Sequence, residues 1–508
     1  MNTRSAEHSK PWLAAAGSVA SSGTGKPLLL LCAGLALLTL YRGWVLAGSD
    51  LSLYFDEAYY WVWSNSPAYG YFSKPPMIAW LIGLTTFACG EGEACIRSAA
   101  LLSFPLTAIL VYLLGARLFD RRVGLWSALL FATLPVVSFY SRIMTTDPLL
   151  MLFWALALYG FVRALQGDRL GDWLLAGFAF GAGLLSKYTM GFFLVSVVVY
   201  CAWTPRHRGL WRNPKAWAGL ALAVALLMPN LVWNGLHGYA SFRHTAEIAH
   251  WNGSLFHPGR CLEFLGGQFL LIGPVLGLAL TALLIRFGRG LCSDEGLRLT
   301  LAFTLPMLLV YALQALLARA NLNWAAAVYV PGSLLAAACL LRFRWRRSLV
   351  VSVAANLALG LGIYHYVELA QALGIPLTRK TDIYSDMRGW PRLAAEVGAV
   401  LARHPGAGLL CDNRRVMAEL IYYLRPHPLD AAIYNPSGRI SDHFRLTADV
   451  GGSRRDRFLF VTAGTDPAIL KASFREVVDV GTVETPVHSD LVLKYRVFLV
   501  KDFRGYGS

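Results

Sequence analysis

RSAALLSFPLTAILVYLLGA (97–116), RLFDRR (117–122) and VGLWSALLFATLPVVSFY (123–140) follow one another without interruption. An α-helix rises 1.5 Å per residue, so about 20 apolar residues cross a hydrocarbon core of about 30 Å. The first stretch has 20 residues with its one charge, Arg97, at the edge, and the second has 18 with none. Three arginines and one aspartate are among the six residues between them. Two apolar runs joined by a short basic loop read as a helical hairpin through a bilayer, with the loop on the cytoplasmic side.

The rest of the chain repeats that pattern. Of its 508 residues 56% are hydrophobic and only 15% charged, and its mean hydropathy is +0.48. Soluble chains carry about 25% charged residues, and a soluble globule could not hide this much apolar surface. A disordered chain, a collagen-like fibre and a disulfide scaffold are excluded, the last because eight cysteines are scattered over the whole length. Runs able to span lie at 28–47, 97–116, 123–140, 148–165, 173–187, 188–203, 216–234, 261–285, 299–318, 323–341 and 349–369. The expectation is a polytopic α-helical membrane protein with about eleven spans. A further apolar run, Pro76 to Ala88, is too short to cross and reads as re-entrant or interfacial.

The net charge of +16 would raise nucleic acid as a partner in a soluble protein. Alternate loops and the N-terminal tail together hold 19 Lys and Arg, against 6 in the other set. The excess therefore sets orientation, with the bilayer and not nucleic acid as partner. It predicts residues 1–27 as a cytoplasmic tail, uncleaved, and 28–372 as the membrane domain with a first external loop at 48–96. Beyond about 376 the pattern changes to candidate strands at 408–412, 429–435, 457–462 and 492–502 and helices at 391–404, 414–425 and 466–474. Residues 373–508 are thus expected to form an α/β domain on the external, periplasmic side.

Ionisable residues at membrane level mark functional sites by default, and here Asp56, Glu57, Lys74, Asp147 and Lys187 all fall on the external face of this topology. Asp56 and Glu57 sit among aromatics in YFDEAYYW (54–61), where low dielectric raises carboxylate basicity. The alternative is a solvated helix cap. Lys74 precedes two prolines in GYFSKPP (70–76), a stiff loop suited to a fixed cation for phosphate or to an interfacial lysine before a helix. Asp147, before Pro148, has the sequence of an N-cap, and Lys187 ends a span, where snorkelling is the ordinary reading. The segment 234–260 carries His237, Arg243, His244, Glu247, His250, Trp251, Asn252 and His257, a set able to clamp a polar or anionic acceptor. Its spacings form no zinc-ligand pattern. Cys89 and Cys95 are either a disulfide or two thiols. No P-loop, dinucleotide fingerprint or D-x-D pair is present, so nucleotide-driven chemistry lacks its usual cradle.

DEAYYW at 56–61, GYFSKPP at 70–76, TDP at 146–148, LLSKY at 184–188 and NW at 323–324, in this order, resemble the C-type (GT-C) membrane glycosyltransferases. The closest likeness is to the protein O-mannosyltransferase-like enzymes and the bacterial lipid A aminoarabinose and galacturonic acid transferases. The resemblance spans residues 50–330 and implies an inverting glycosyltransferase with a periplasmic active site. Its donor is a polyprenyl-phosphate-linked sugar. Its acceptor is lipid A, lipopolysaccharide core, another envelope glycan or, in the mannosyltransferase alternative, a protein. It further implies Asp56 as the base with Glu57 supporting it, Lys74 and Lys187 on the donor phosphate, and Asp147 orienting a substrate. Tyr59, Tyr60, Tyr71, Arg243, His244 and Asn323 are candidate substrate contacts. No cofactor is required, and a divalent metal ion stays open. Tyr59 stands where the aminoarabinose transferases carry Arg, and Ser73-Lys74-Pro75 replaces their Glu-Lys-Pro, which favours a sugar other than aminoarabinose. The rival class is a lipid-linked sugar transporter, whose sites lie at the midplane between repeats. The one-sided clustering of the ionisable residues and the lack of a repeat speak for the enzyme.

Overall fold

A computed structural model describes residues 25–248, 256–287 and 294–506. The chain divides into two compact units. The first holds the residues up to Ala47, Arg97–Gly235 and Ala246–Tyr364; the second holds Gly48–Ile96, Leu236–Thr245 and His365–Ser508.

The first unit is helical. Lys26–Ala47, Glu93–Leu118, Thr146–Gly167, Pro214–Leu236, Glu295–Leu317, Leu322–Arg342 and Arg346–Tyr364 are each long and apolar enough to cross a membrane. Shorter apolar helices at Leu170–Ser186 and Tyr188–Trp203 occupy the positions of two further expected spans. Two expected spans are broken. The run 261–285 bends by 115° between Pro258–Ile272 and Pro274–Arg286, because Gly273 takes φ +93° and Pro274 has no amide to continue the helix. The run 123–140 breaks at Leu134, again before a proline. Carbonyls freed by such a break need partners in a dry environment. Arg42 supplies one by donating to the Ala132 oxygen at 2.8 Å.

Packing in this unit relies on small residues, as between helices in lipid. A methyl at Gly177 would lie 2.0 Å from the Gly219 carbonyl oxygen, and one at Gly124 would lie 2.5 Å from that of Tyr112. The core runs from Leu31 to Leu349 and includes Trp154, Phe161 and Phe303, each of whose rings meets that of Phe193 edge to face.

The second unit contains a five-stranded sheet: β1 (Gly408–Cys411), β2 (Ala432–Ile433), β3 (Arg457–Thr462), β4 (Phe474–His488) and β5 (Leu491–Phe503), in the order β2-β1-β3-β5-β4. β1 pairs in parallel with β2 and β3, and β5 is antiparallel to β3 and β4. Helices Trp390–Ala402, Arg414–Tyr423 and Pro467–Ser473 match the expected ones to within two residues at each end. β4 was not foreseen, since among its residues only Phe474, Val483 and Thr485 are buried and no steady alternation marks it. The expected strand 429–435 shrinks to β2. The loop 48–96, expected with the membrane domain, instead belongs to the same compact unit as the sheet. Its helix Phe55–Ser64 packs on helix Arg414–Tyr423, with Trp61 edge-on to Tyr422 at 5.0 Å.

Candidate active site

In the second unit, the segment containing Asp56 and Glu57 forms helix Phe55–Ser64, and both acids lie in its first turn, where they favour the helix dipole. Glu57 is fully buried and accepts from the Tyr54 backbone amide at 2.8 Å, which gives it a capping role. Asp56 differs. Its side chain is 29% exposed, and its cation partner is Arg414, at 3.7 Å from Oδ1. Burial raises the Asp56 pKa, while Arg414 and then Lys74 oppose that rise and Glu57 adds to it. Lys74 is half-buried on a tight turn closed by the Tyr71 amide donating to the Lys74 carbonyl at 3.1 Å.

Aromatic rings hold this arrangement. Trp63 stacks on Tyr71 with centroids 4.5 Å apart and planes within 2°. The edge of His443 meets both rings. Tyr59, Tyr60 and Tyr71 are buried. Burial pushes the Tyr71 hydroxyl up to about 12 and that of Tyr59 well above its usual value. Burial, assisted by His237, lowers His443 to about 4. It is therefore neutral at pH 7, and its Nδ1 accepts from the Phe72 amide at 3.4 Å. Ser241 donates to the Tyr71 carbonyl at 2.6 Å, and His244 lies against Phe72 at 5.2 Å. Arg243 is exposed. His250, Trp251 and Asn252 lie outside the described residues.

A different carboxylate site occupies the first unit. Asp147 is 1% exposed, and both its oxygens are engaged: Lys187 Nζ lies 2.6 Å from Oδ1 and Asn323 Nδ2 donates to Oδ2 at 2.8 Å. The N-cap of this helix is Thr145 and not Asp147. Lys187 does not snorkel outward, since it sits in the break between helix Leu170–Ser186 and the 3-10 turn Tyr188–Gly191 and points into this pair.

Arg414 was missed in the sequence. Its signal was present, since Asn413-Arg414-Arg415 opens a helix with two arginines in the first turn, against the macrodipole. Arg415 has a carboxylate, Asp386, at 2.9 Å. Arg414 lies over the rings of Phe55 and Tyr59 at 5.3 and 5.5 Å. Cys89 and Cys95 form a disulfide. Among the described residues, no group of three or more His, Cys, Asp and Glu side chains could hold a metal ion.

A model of the dolichyl-phosphate-mannose-protein mannosyltransferase family matches residues 73–233. The chain is 31% identical over 435 residues to the lipid A galacturonosyltransferase RgtD of Rhizobium johnstonii, covering 84% of this chain and 89% of that protein. The chain belongs to the GT-C glycosyltransferases of the lipid A sugar transferase type. This glycosyltransferase also resembles the undecaprenyl phosphate-α-4-amino-4-deoxy-L-arabinose arabinosyl transferase of Pseudomonas aeruginosa. There it is 31% identical over 204 residues, 39% of this chain and 35% of that protein. Its fold is like that of ArnT from Cupriavidus metallidurans, solved in the apo state and bound to undecaprenyl phosphate. The TM-score is 0.64 at 15% identity, covering 96% of this chain and all of that one. In this glycosyltransferase Tyr59, the departure from the aminoarabinose enzymes, lies under the Arg414 guanidinium.

Proposed function

We propose that this glycosyltransferase moves a sugar from a polyprenyl-phosphate donor to lipid A or the adjoining core, with inversion, on the periplasmic side of the inner membrane. The observation that carries the reading is Asp56: a half-buried carboxylate of raised pKa, with Lys74 and Arg414 as the cations acting on it. An acceptor oxygen attacks the anomeric carbon opposite the phosphate. The bond from that carbon to the phosphate oxygen breaks, and its electron pair leaves with the polyprenyl monophosphate. The acceptor proton passes to Asp56. Negative charge grows on the departing phosphate, so Lys74 stabilises the transition state more than the ground state. Lys187 has its charge matched by Asp147, so in this reading the two, with Asn323, position the substrate-bearing helices and Lys74 holds the phosphate.

Similarity to RgtD over most of both chains supports lipid A as acceptor and makes a uronic acid the first sugar to test. The bias of 19 basic residues against 6 supports the orientation. The Cys89–Cys95 disulfide fits an oxidising compartment. The test is mass spectrometry of envelope glycolipid made with wild type or with Asp56→Asn, both at equal membrane level. A sugar increment lost only in the variant supports the reading, and equal increments remove Asp56 as base. An increment on protein and not on lipid would favour the mannosyltransferase-type reading that the family model supports. No increment in either would favour transport.

A further inference from the structure

The two adjacent arginines at the start of helix Arg414–Tyr423 are treated very differently. Arg415 donates to the Asp386 carboxylate at 2.9 Å and to the Asp386 carbonyl at 3.2 Å. The Arg414 guanidinium donates no hydrogen bond among the described residues. Its partner Asp56 is at 3.7 Å, too far for the fork-to-fork pairing an arginine makes with a carboxylate at about 2.7–2.9 Å. The side chain is 36% exposed, and its guanidinium lies over the rings of Phe55 and Tyr59. Helix polarity opposes a cation here, so neither the helix nor a tight ion pair accounts for its placement. A guanidinium lying over two rings, with unused donors beside a loosely paired carboxylate, is suited to a planar or tetrahedral oxyanion.

We propose that Arg414 binds an anionic group of the substrate next to Asp56, either the phosphate of the polyprenyl donor or the carboxylate of an acidic sugar. The C-terminal domain then supplies a substrate-binding residue. This rests on the proposed role of Asp56, and it deepens that reading by naming what the neighbouring cation holds.

The test uses the full-length protein in lipid nanodiscs, as wild type, Arg414→Gln, Arg414→Lys and Asp56→Asn. Two measurements are made. One is binding of undecaprenyl phosphate alone. The other is transfer from undecaprenyl-phosphate-linked galacturonic acid and from its neutral counterpart, galactose. If Arg414 holds phosphate, Arg414→Gln weakens undecaprenyl phosphate binding at least tenfold and raises KM for both donors alike, with kcat changed much less. If it holds a sugar carboxylate, phosphate binding is unchanged and the preference for the acidic donor falls at least tenfold. Arg414→Lys keeps the charge but not the fork, and it recovers part of either loss. The proposal is overturned if Arg414→Gln leaves phosphate binding, both KM values and the donor preference within twofold of wild type. A fall in kcat alone also overturns it, because Arg414 would then act only through Asp56. Failure of the Asp56 reading is separate: Asp56→Asn would transfer normally, while the binding measurement would still report on Arg414. Recovery in Arg414→Lys rules out a folding defect as the source of the loss.

Discussion

Asp147 and Asp56 are both first-turn aspartates beside a cation, yet their surroundings differ. Asp147 is 1% exposed, and Lys187 and Asn323 engage its two oxygens at 2.6 and 2.8 Å. Asp56 is 29% exposed with its cation at 3.7 Å. A carboxylate whose lone pairs are engaged is a poor base and a good brace. One kept half-buried and loosely paired has raised basicity and room to take a proton. On the proposed reading, residue type near the membrane does not separate chemistry from scaffolding, whereas hydrogen-bond saturation does.

The largest expected effect tests the reactive member of the pair. Asp56→Asn should lower transfer about 10²–10⁴-fold, the usual contribution of a positioned base, with unchanged thermal stability in detergent. If stability fell and the residual rate did not, Asp56 would be a brace like Asp147. The next effect tests the brace. Lys187→Met leaves a buried carboxylate without its cation and should destabilise the protein by about 3–5 kcal/mol, read as a lower unfolding midpoint. Asp147→Leu combined with Lys187→Met should recover most of that, because replacing both partners of a buried pair is often close to neutral. A double variant no more stable than Lys187→Met would mean the pair does more than match charge.

A smaller effect separates packing from electrostatics. Gly177→Ala forces a methyl to within 2.0 Å of the Gly219 carbonyl oxygen, and overpacking of this kind costs about 1–3 kcal/mol. It should lower the unfolding midpoint and leave the pH dependence of transfer unchanged. A changed pH profile would show that the packing of these helices reaches the base.

The same contrast marks where the sequence could be read. Apolar runs and the change to an α/β pattern were legible because they depend on local composition, and most element ends followed. The break at Gly273-Pro274 was written in a dipeptide that a hydropathy window averages away. β4 was missed because alternation is weak where neither face of a strand is fully buried. Asp56, Glu57, Lys74, Asp147 and Lys187 were legible as charges in costly places. Which carboxylate is saturated was not, since that depends on Asn323 and Arg414, which are remote in the chain from the carboxylates they meet. Only the helix that begins with two arginines carried a local hint of the second.

The smallest effect sharpens the comparison most. As a base Asp56 must be deprotonated, so transfer should fall on acidification, and burial places that limb above the range of an ordinary carboxylate. Arg414 is the first influence opposing the rise, Lys74 the second, and Glu57 acts with burial. Removing the positive charge in Arg414→Gln makes the Asp56 anion harder to form, so the acid limb of kcat should move to higher pH. Lys74→Gln should move it the same way and less. Arg414→Lys, which keeps the charge, should leave it near wild type. In Lys187→Met the limb should move less than in either, because the charges that lead in setting the Asp56 pKa are Arg414, Lys74 and Glu57. A limb moved by Lys187→Met and not by Arg414→Gln would reverse the assignment of base and brace.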